Sequence, residues 1–160
     1  MPAEHVRSTM TTASPAPKDT GRAPPRWGIV LVTRLHVLLH RITGSLNTFS
    51  SKEVCFVTMT GARSGRTLMI PLMYLPYGEG VLLVASQGGA SRNPLWYHNL
   101  VKHPNIEVEH RGTRKKYCAR LADAAEKTLL WSTCDHYWPD YAKYRKRTTR
   151  NIPIFVCEPH

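Results

Sequence analysis

Acidic side chains are scarce in this chain. Eleven Asp and Glu stand against twenty-two Lys and Arg, leaving a formal charge of +11. With so few carboxylates, and with no Ser or Cys in a tight elbow beside a His, no nucleophile-base-acid trio can be assembled, which argues against hydrolysis. Cysteine is sparse too. Cys55, Cys118, Cys134 and Cys157 lie far apart, without a CxxC pair and without His at metal-ligand spacing. The simplest reading is a reduced, cytoplasmic protein with no structural metal, in which three of the four thiols, set in apolar or strand-like stretches, are buried and inert. Long hydrophobic runs are absent. The longest, Gly28 to Leu39, is broken by Thr33, Arg34 and His36, and falls short of the ~20 residues that span a bilayer. A Pro-rich stretch precedes it and no small-residue cleavage site follows, so it also makes a poor secretory signal. Internal repeats are lacking.

The 160 residues, 42% of them hydrophobic, suffice for one complete core. The excess of positive charge favours anionic partners: nucleic acid, phospholipid or a phosphorylated cofactor. Its distribution is uneven. Residues 53 to 110 hold four basic and four acidic side chains, so a central anion site must rely on a few well-placed cations.

Residues 1–25, rich in Pro, Ser, Thr and Ala, read as a disordered tail. Residues 26–49 read as an amphipathic helix. Leu31, Leu35, Leu38, Leu39, Ile42, Leu46 and Phe49 share one face, and Thr33, Arg34, His36, His40 and Arg41 the other. Residues 27–49 either pack on their own domain or adhere to an anionic membrane surface, which would make the protein peripheral to the membrane's inner face.

Residues 50–160 form the remaining domain. Val54 to Thr60, Leu68 to Leu75 and Val81 to Ser86 read as strands, as do Asn105 to His110 and Thr113 to Leu121 across a turn at Arg111-Gly112. Ile152 to Cys157 closes the chain as a last strand, which Pro153 consigns to an edge or a bulge. Asn93-Pro94 predicts a cap and first turn for a helix to about Lys102; Asp123 and Glu126 predict a capping box for one through Cys134, and Pro139 starts another to about Arg147. Six strands without a βαβ rhythm predict an α+β fold: an antiparallel barrel with helices packed outside.

Four segments can carry chemistry. The loop Gly61-Ala62-Arg63-Ser64-Gly65-Arg66-Thr67 can turn backbone N–H groups toward a phosphate, with Arg63 and Arg66 adding charge; an ordinary hairpin turn explains it equally well. Ser86 through Pro94 runs through two glycines into a helix N-terminus, which favours anions, or is simply a well-capped loop. In the helix that follows, Trp96 and Leu100 suit the core, Asn99 wants a polar partner that a ligand could supply, and His98 faces solvent. Tyr141 and Tyr144, three apart, can line one wall of a pocket with hydroxyls inward, or pack structurally. The basic run Lys143, Arg145, Lys146, Arg147 and Arg150 reads as a solvated helix face. A site with an anion cradle and aromatic walls, but no reactive side chain of its own, suits a borrowed cofactor.

Taken in order, Thr58 to Gly65, Pro71-Leu72, Ala85 to Gly89, Asn93 to Leu100, the tyrosine segment and the ending Thr149 to Ile154 resemble the deazaflavin-dependent nitroreductase family. The resemblance implies a split β-barrel that binds coenzyme F-420, a two-electron hydride carrier with a phosphate and an acidic tail. It places Ala62, Arg63 and Ser64 on the phosphate. Leu68, Met69, Ile70, Pro71, Leu72 and Met73, with Val84, Ala85, Ser86 and Gln87, would flank the ring, and Leu95, Trp96, Tyr97, His98 and Asn99 would cover it. Tyr141 would close the pocket, with Trp138 and Tyr144 also on the substrate, and Tyr141 or Ser86 would offer a catalytic hydroxyl. The acceptor would be a small-molecule electrophile: a quinone, an activated enone or a nitroaromatic. Relative to the family this chain has Ala62-Arg63 where two basic residues are usual, Leu68 where Arg is common, Gln87 where Lys often stands, and Trp138 where a tyrosine can occur; the last departure bears on nitroaromatics more than on the coenzyme. A flavin- or haem-binding barrel is the competing reading. A nucleic-acid module built on residues 111 to 150 is disfavoured, because its charges do not interleave with aromatics on a strand platform, so no nucleic-acid partner is expected.

Overall fold

The computed structural model describes residues 54–160; the tail expected over 1–25 and the amphipathic helix expected over 26–49 lie outside the described residues. Seven strands form one antiparallel sheet: β1 (Val54–Thr60), β2 (Thr67–Met73), β3 (Leu75–Tyr77), β4 (Gly80–Val84), β5 (Asn105–His110), β6 (Thr113–Leu121) and β7 (Ile154–Pro159). Three helices accompany it, α1 (Leu95–Lys102), α2 (Ala124–Tyr137) and α3 (Asp140–Lys146).

The strand order is β2-β1-β5-β6-β7-β4-β3. Its two ends are therefore consecutive in sequence, with only Tyr74 between Met73 and Leu75. One residue spans at most about 7 Å, so the two edges of the sheet must come together. The sheet curls into a half-barrel, and one bent segment supplies both edges. This is why there are seven strands where six were predicted: the apolar run 68 to 75 is cut at Tyr74, and Leu75–Tyr77 pairs with Gly80–Leu82 instead of continuing along β1. Pro71 and Pro76 sit in these edge strands, where a missing N–H costs no ladder bond. At the corner the Tyr74 ring stacks on His110, centroids 3.6 Å apart and 9° from parallel.

Strand alternation builds two apolar layers. From β4 and β7, Val81, Leu83, Phe155 and Cys157 point into the barrel with Cys55, Val57 and Met59 of β1, while Leu82, Val84, Ile154 and Val156 point outward. α2 and α3 cover the outer layer with Leu130, Cys134 and Tyr141; α1 closes the inner one with Leu100, Trp96 and Tyr97.

Strand β7 corrects the expectation of an edge. It lies between β6 and β4 and starts at Ile154, so Pro153 precedes the ladder, where its carbonyl accepts from the Ala85 N–H at 2.9 Å. The β5–β6 turn has left-handed φ at Arg111 (51°) and Gly112 (79°), as a two-residue hairpin needs to match strand twist. Asp123 caps α2 by accepting from the Glu126 N–H at 2.8 Å, but the Glu126 side chain turns away to Arg120. Asn93 does not cap α1; Pro94 holds that position with extended backbone. Among the described residues no helix is long and apolar enough to cross a membrane.

Burial holds the Cys55 and Cys134 thiols protonated, each pushed up to about 12, and raises Cys157 as well, whereas Cys118 is exposed. A thiol-reactive dye at neutral pH will therefore label Cys118 rapidly and the other three only on unfolding. Since these thiols titrate near 9 when unfolded and near 12 when folded, the unfolded chain releases their protons first. Native stability falls as pH climbs from 9 toward 12. Equal labelling of all four at neutral pH would contradict this packing.

Candidate functional site

The antiparallel order brings the C-terminal ends of β1 and β4 to the same end of the half-barrel, and the loops that follow them are the ones singled out in the sequence. The β1–β2 loop closes on itself: the Gly61 N–H donates to the Arg66 carbonyl at 2.8 Å and the Gly65 N–H to the Gly61 carbonyl at 2.9 Å. Gly65 has φ of 64°, and a Cβ at Gly61 would stand 2.6 Å from Ser64 Oγ. Arg63, Ser64 and Arg66 are exposed, and neither arginine has an ion pair among the described residues.

Helix α1 holds this loop from one side. Asn99 Oδ1 accepts from the Ala62 N–H at 2.9 Å, Asn99 Nδ2 reaches Met59 Sδ at 3.6 Å, and Lys102 Nζ donates to the Ala62 carbonyl at 2.7 Å. The polar partner that Asn99 was expected to find in a ligand is thus the loop backbone, and the Ala62 amide is already committed. Lys102 escaped the sequence reading, although its position three residues after Asn99 puts both on one helix face. Trp96 and Tyr97 lie half-buried on the inner layer, where Ile70 and Leu72 of β2 also pack. Leu95, 71% exposed, and His98 face outward.

The loop after β4 has unusual backbone. Gln87, Gly88 and Gly89 have φ of 47°, 65° and 84°, a region costly for a residue with a side chain, by about 1–3 kcal/mol for Gln87. Gly89 abuts α3: a Cβ there would lie 2.6 Å from the Tyr144 carbonyl oxygen. Arg147 donates to the Gly88 carbonyl at 3.3 Å. Arg150 donates to the carbonyls of Ala85 (3.1 Å), Ser86 (2.9 Å) and Ala90 (3.0 Å), and to Asn93 Oδ1. Burial holds its guanidinium below the usual arginine range. The reading of the basic run as a solvated helix face holds for Lys143, Lys146 and Arg147, which are exposed, and is corrected for Arg145 and Arg150, which are half-buried. Lys143 pairs with Asp140, Arg145 pairs with Asp135 at 2.6 Å and lies over the Trp131 ring, and Arg147 and Arg150 grip the loop. Within the loop Ser86 is buried, and Gln87 Oε1 is a buried acceptor with no partner.

The tyrosine wall also differs from expectation. Tyr141 is 3% exposed and belongs to the outer layer, its ring 6.0 Å from Tyr144 and 6.3 Å from Trp131. Burial, then the neighbouring Cys134 and Tyr144, raise its phenol well above the ordinary tyrosine value. Apolar packing took this ring because it lies on the face of α3 turned to the sheet. Trp138 and Tyr144, half-buried, edge the same layer.

The structure therefore forms two groups at one end of the barrel, Arg63-Ser64 with α1 and Ser86-Gln87 with α3. Val84 and Met73 pack on the outer layer, Ala85 is fully buried, and Leu68 is 40% exposed beside the first loop. A separate concavity of about 600 Å³, between Tyr74, Gly78, His110 and Arg111, lies at the opposite strand ends.

Residues 32–159 match the F420H(2)-dependent quinone reductase family. An F420H(2)-dependent quinone reductase of Mycobacterium tuberculosis is 33% identical over 100 residues, covering 61% of this chain and 67% of the relative. A solved F420-H2 dependent reductase superposes with a TM-score of 0.62 at 32% identity, over 66% of this chain and 94% of that one. HutZ, a haem storage protein of Vibrio cholerae, shares the fold alone, with a TM-score of 0.50 at 10% identity over 69% of this chain and 83% of its own. Both loops and all three helices fall inside the matched residues, and the chain belongs to the F420H(2)-dependent quinone reductase family.

Proposed function

We propose that this chain transfers a hydride from reduced coenzyme F-420 to a small apolar electrophile, a quinone first, with activated enones and nitroaromatics as further acceptors. The observation that carries this reading is the family match across the residues that build both loops. The residues present fit such a coenzyme. Exposed Arg63 and Arg66 lack ion pairs within the described protein and suit an anionic group. The unpartnered Gln87 Oε1 suits an N–H donor on a planar ring. When bound, the coenzyme supplies the hydride; the protein supplies binding, orientation and exclusion of water.

On this reading Arg63 and Ser64 hold the phosphate with side chain and backbone, while Ala62 ties the loop to Asn99. Leu68 to Met73 and Val84 to Gln87 flank the ring, and Leu95 to Asn99 cover it, with Trp96 and Tyr97 fixed from below by Phe155. Trp138 and Tyr144 border the acceptor. The Tyr141 phenol, which burial keeps protonated, would offer a hydroxyl to the acceptor, and Ser86 would offer a second. Residues 27–49, with Arg34 and Arg41 opposite a leucine face, would lay the protein on the inner, anionic surface of the cell membrane, where apolar acceptors concentrate.

Mixing the protein anaerobically with reduced coenzyme and then a quinone should regenerate oxidised deazaflavin, seen by its fluorescence; a chain that leaves the coenzyme reduced refutes the activity. Arg63→Ala should raise the coenzyme dissociation constant roughly tenfold or more, through loss of a charge-assisted contact. An unchanged constant removes the loop from the site. Asn99→Leu strands the Ala62 N–H and should weaken coenzyme binding by a similar factor, about 1–3 kcal/mol at most; unaltered affinity would show that the loop needs no tether. The full chain should sediment with phosphatidylglycerol vesicles and not with phosphatidylcholine, and equal sedimentation with both would oppose the membrane reading.

A further inference from the structure

The most heavily bonded side chain at this end of the barrel is Arg150, which the sequence marks only as one member of a basic run. Four of the five N–H donors of Arg150 are engaged, and all four acceptors are neutral oxygens of residues 85 to 93. Among the described residues no carboxylate pairs with it. Arg150 is half-buried, and a guanidinium partly withdrawn from water with no carboxylate partner among the described residues leans on those bonds, so loop and cation position each other. Arg147 on Gly88 and the contact of Gly89 with Tyr144 pin the same turn from α3.

The consequence falls on Ser86 and Gln87. Their carbonyls are oriented: Ser86's toward Arg150 and the Gly89 N–H, Gln87's toward the Ala90 N–H. Gln87 is thereby kept at positive φ with its Oε1 buried and unpaired. The turn's own bonds, from the Gly89 and Ala90 N–H groups, give the Gln87 side chain no partner. We infer that Arg150 is a positioning residue: its planar fork bolts the 85–93 turn to the barrel so that Ser86 and Gln87 are presented to the coenzyme, an inference that rests on the function proposed above. Lysine cannot replace it, because a single ammonium cannot reach carbonyls on both limbs of the turn.

The test compares wild type, Arg150→Met and Arg150→Lys with Arg145→Met, whose guanidinium serves Asp135 and Trp131 away from the turn. Two quantities are read: hydrogen exchange of the Gly89 and Ala90 amides without ligand, and the dissociation constant for oxidised coenzyme F-420 by fluorescence titration. Both Arg150 variants should exchange faster at these amides and bind roughly tenfold more weakly, with lysine failing to rescue. Arg145→Met should lower the melting temperature and leave both quantities alone. A folded Arg150 variant with wild-type exchange, or with faster exchange but wild-type affinity, overturns the inference. Should Arg150→Met fail to fold, Arg150→Lys decides by the same criteria. If the wild type itself does not bind the coenzyme, the proposed function fails, and the exchange rates separately report whether Arg150 holds the turn.

Discussion

The constraint on which this architecture depends is the single residue between β2 and β3. Because Met73 ladders with β1 at one limit of the sheet and Leu75 with β4 at the other, the chain can cross at Tyr74 only if the sheet is curled. Curling gives the sheet an inside and an outside, so the period-2 alternation of β4 and β7 feeds two cores at once. The antiparallel order leaves the C-terminal ends of β1 and β4 at the same end of the curled sheet, where the proposed ligand-binding loops lie.

Two polar tethers then convert flexible loops into surfaces. Asn99 and Lys102 hold the backbone of Ala62 from α1, and Arg147 and Arg150 hold residues 85 to 90 from the segment after α3. In one place a helix packed on the barrel, and in the other the segment that follows a helix, spends side-chain donors or acceptors on loop backbone, which fixes geometry without a reactive side chain. That division suits an enzyme whose chemistry is carried by its coenzyme. Arg63 and Arg66, exposed and without an ion pair among the described residues, are the cations proposed to meet an anion.

Much of the fold is legible in local pattern. The β5–β6 hairpin has the expected bounds, because Arg111-Gly112 is a strong turn flanked by alternating residues, and Asp123 caps α2 as its spacing requires. The β2–β3 break is not legible, since Leu68 to Leu75 is uniformly apolar and only the closure of the sheet dictates a corner at Tyr74. Pro153 misleads for a related reason: a proline one residue before a central strand looks like one inside an edge strand. At the candidate site the sequence marks the two loops but not the contacts of individual side chains. Asn99 and Arg150 have chemistry visible in sequence, but their partners lie 37 and up to 65 residues away, and Tyr141 was drawn into the core by packing that helical spacing alone does not distinguish from a pocket wall.

The central claim is that the Arg63 loop and the Ser86-Gln87 turn grip one and the same molecule. Hydrogen exchange across the whole chain, with and without saturating coenzyme F-420, measures this directly. The account predicts slowed exchange in residues 61–66 and 85–90 together, with the same dependence on coenzyme concentration. Protection of one loop without the other, or of the Tyr74–His110 end of the barrel in their place, would contradict it.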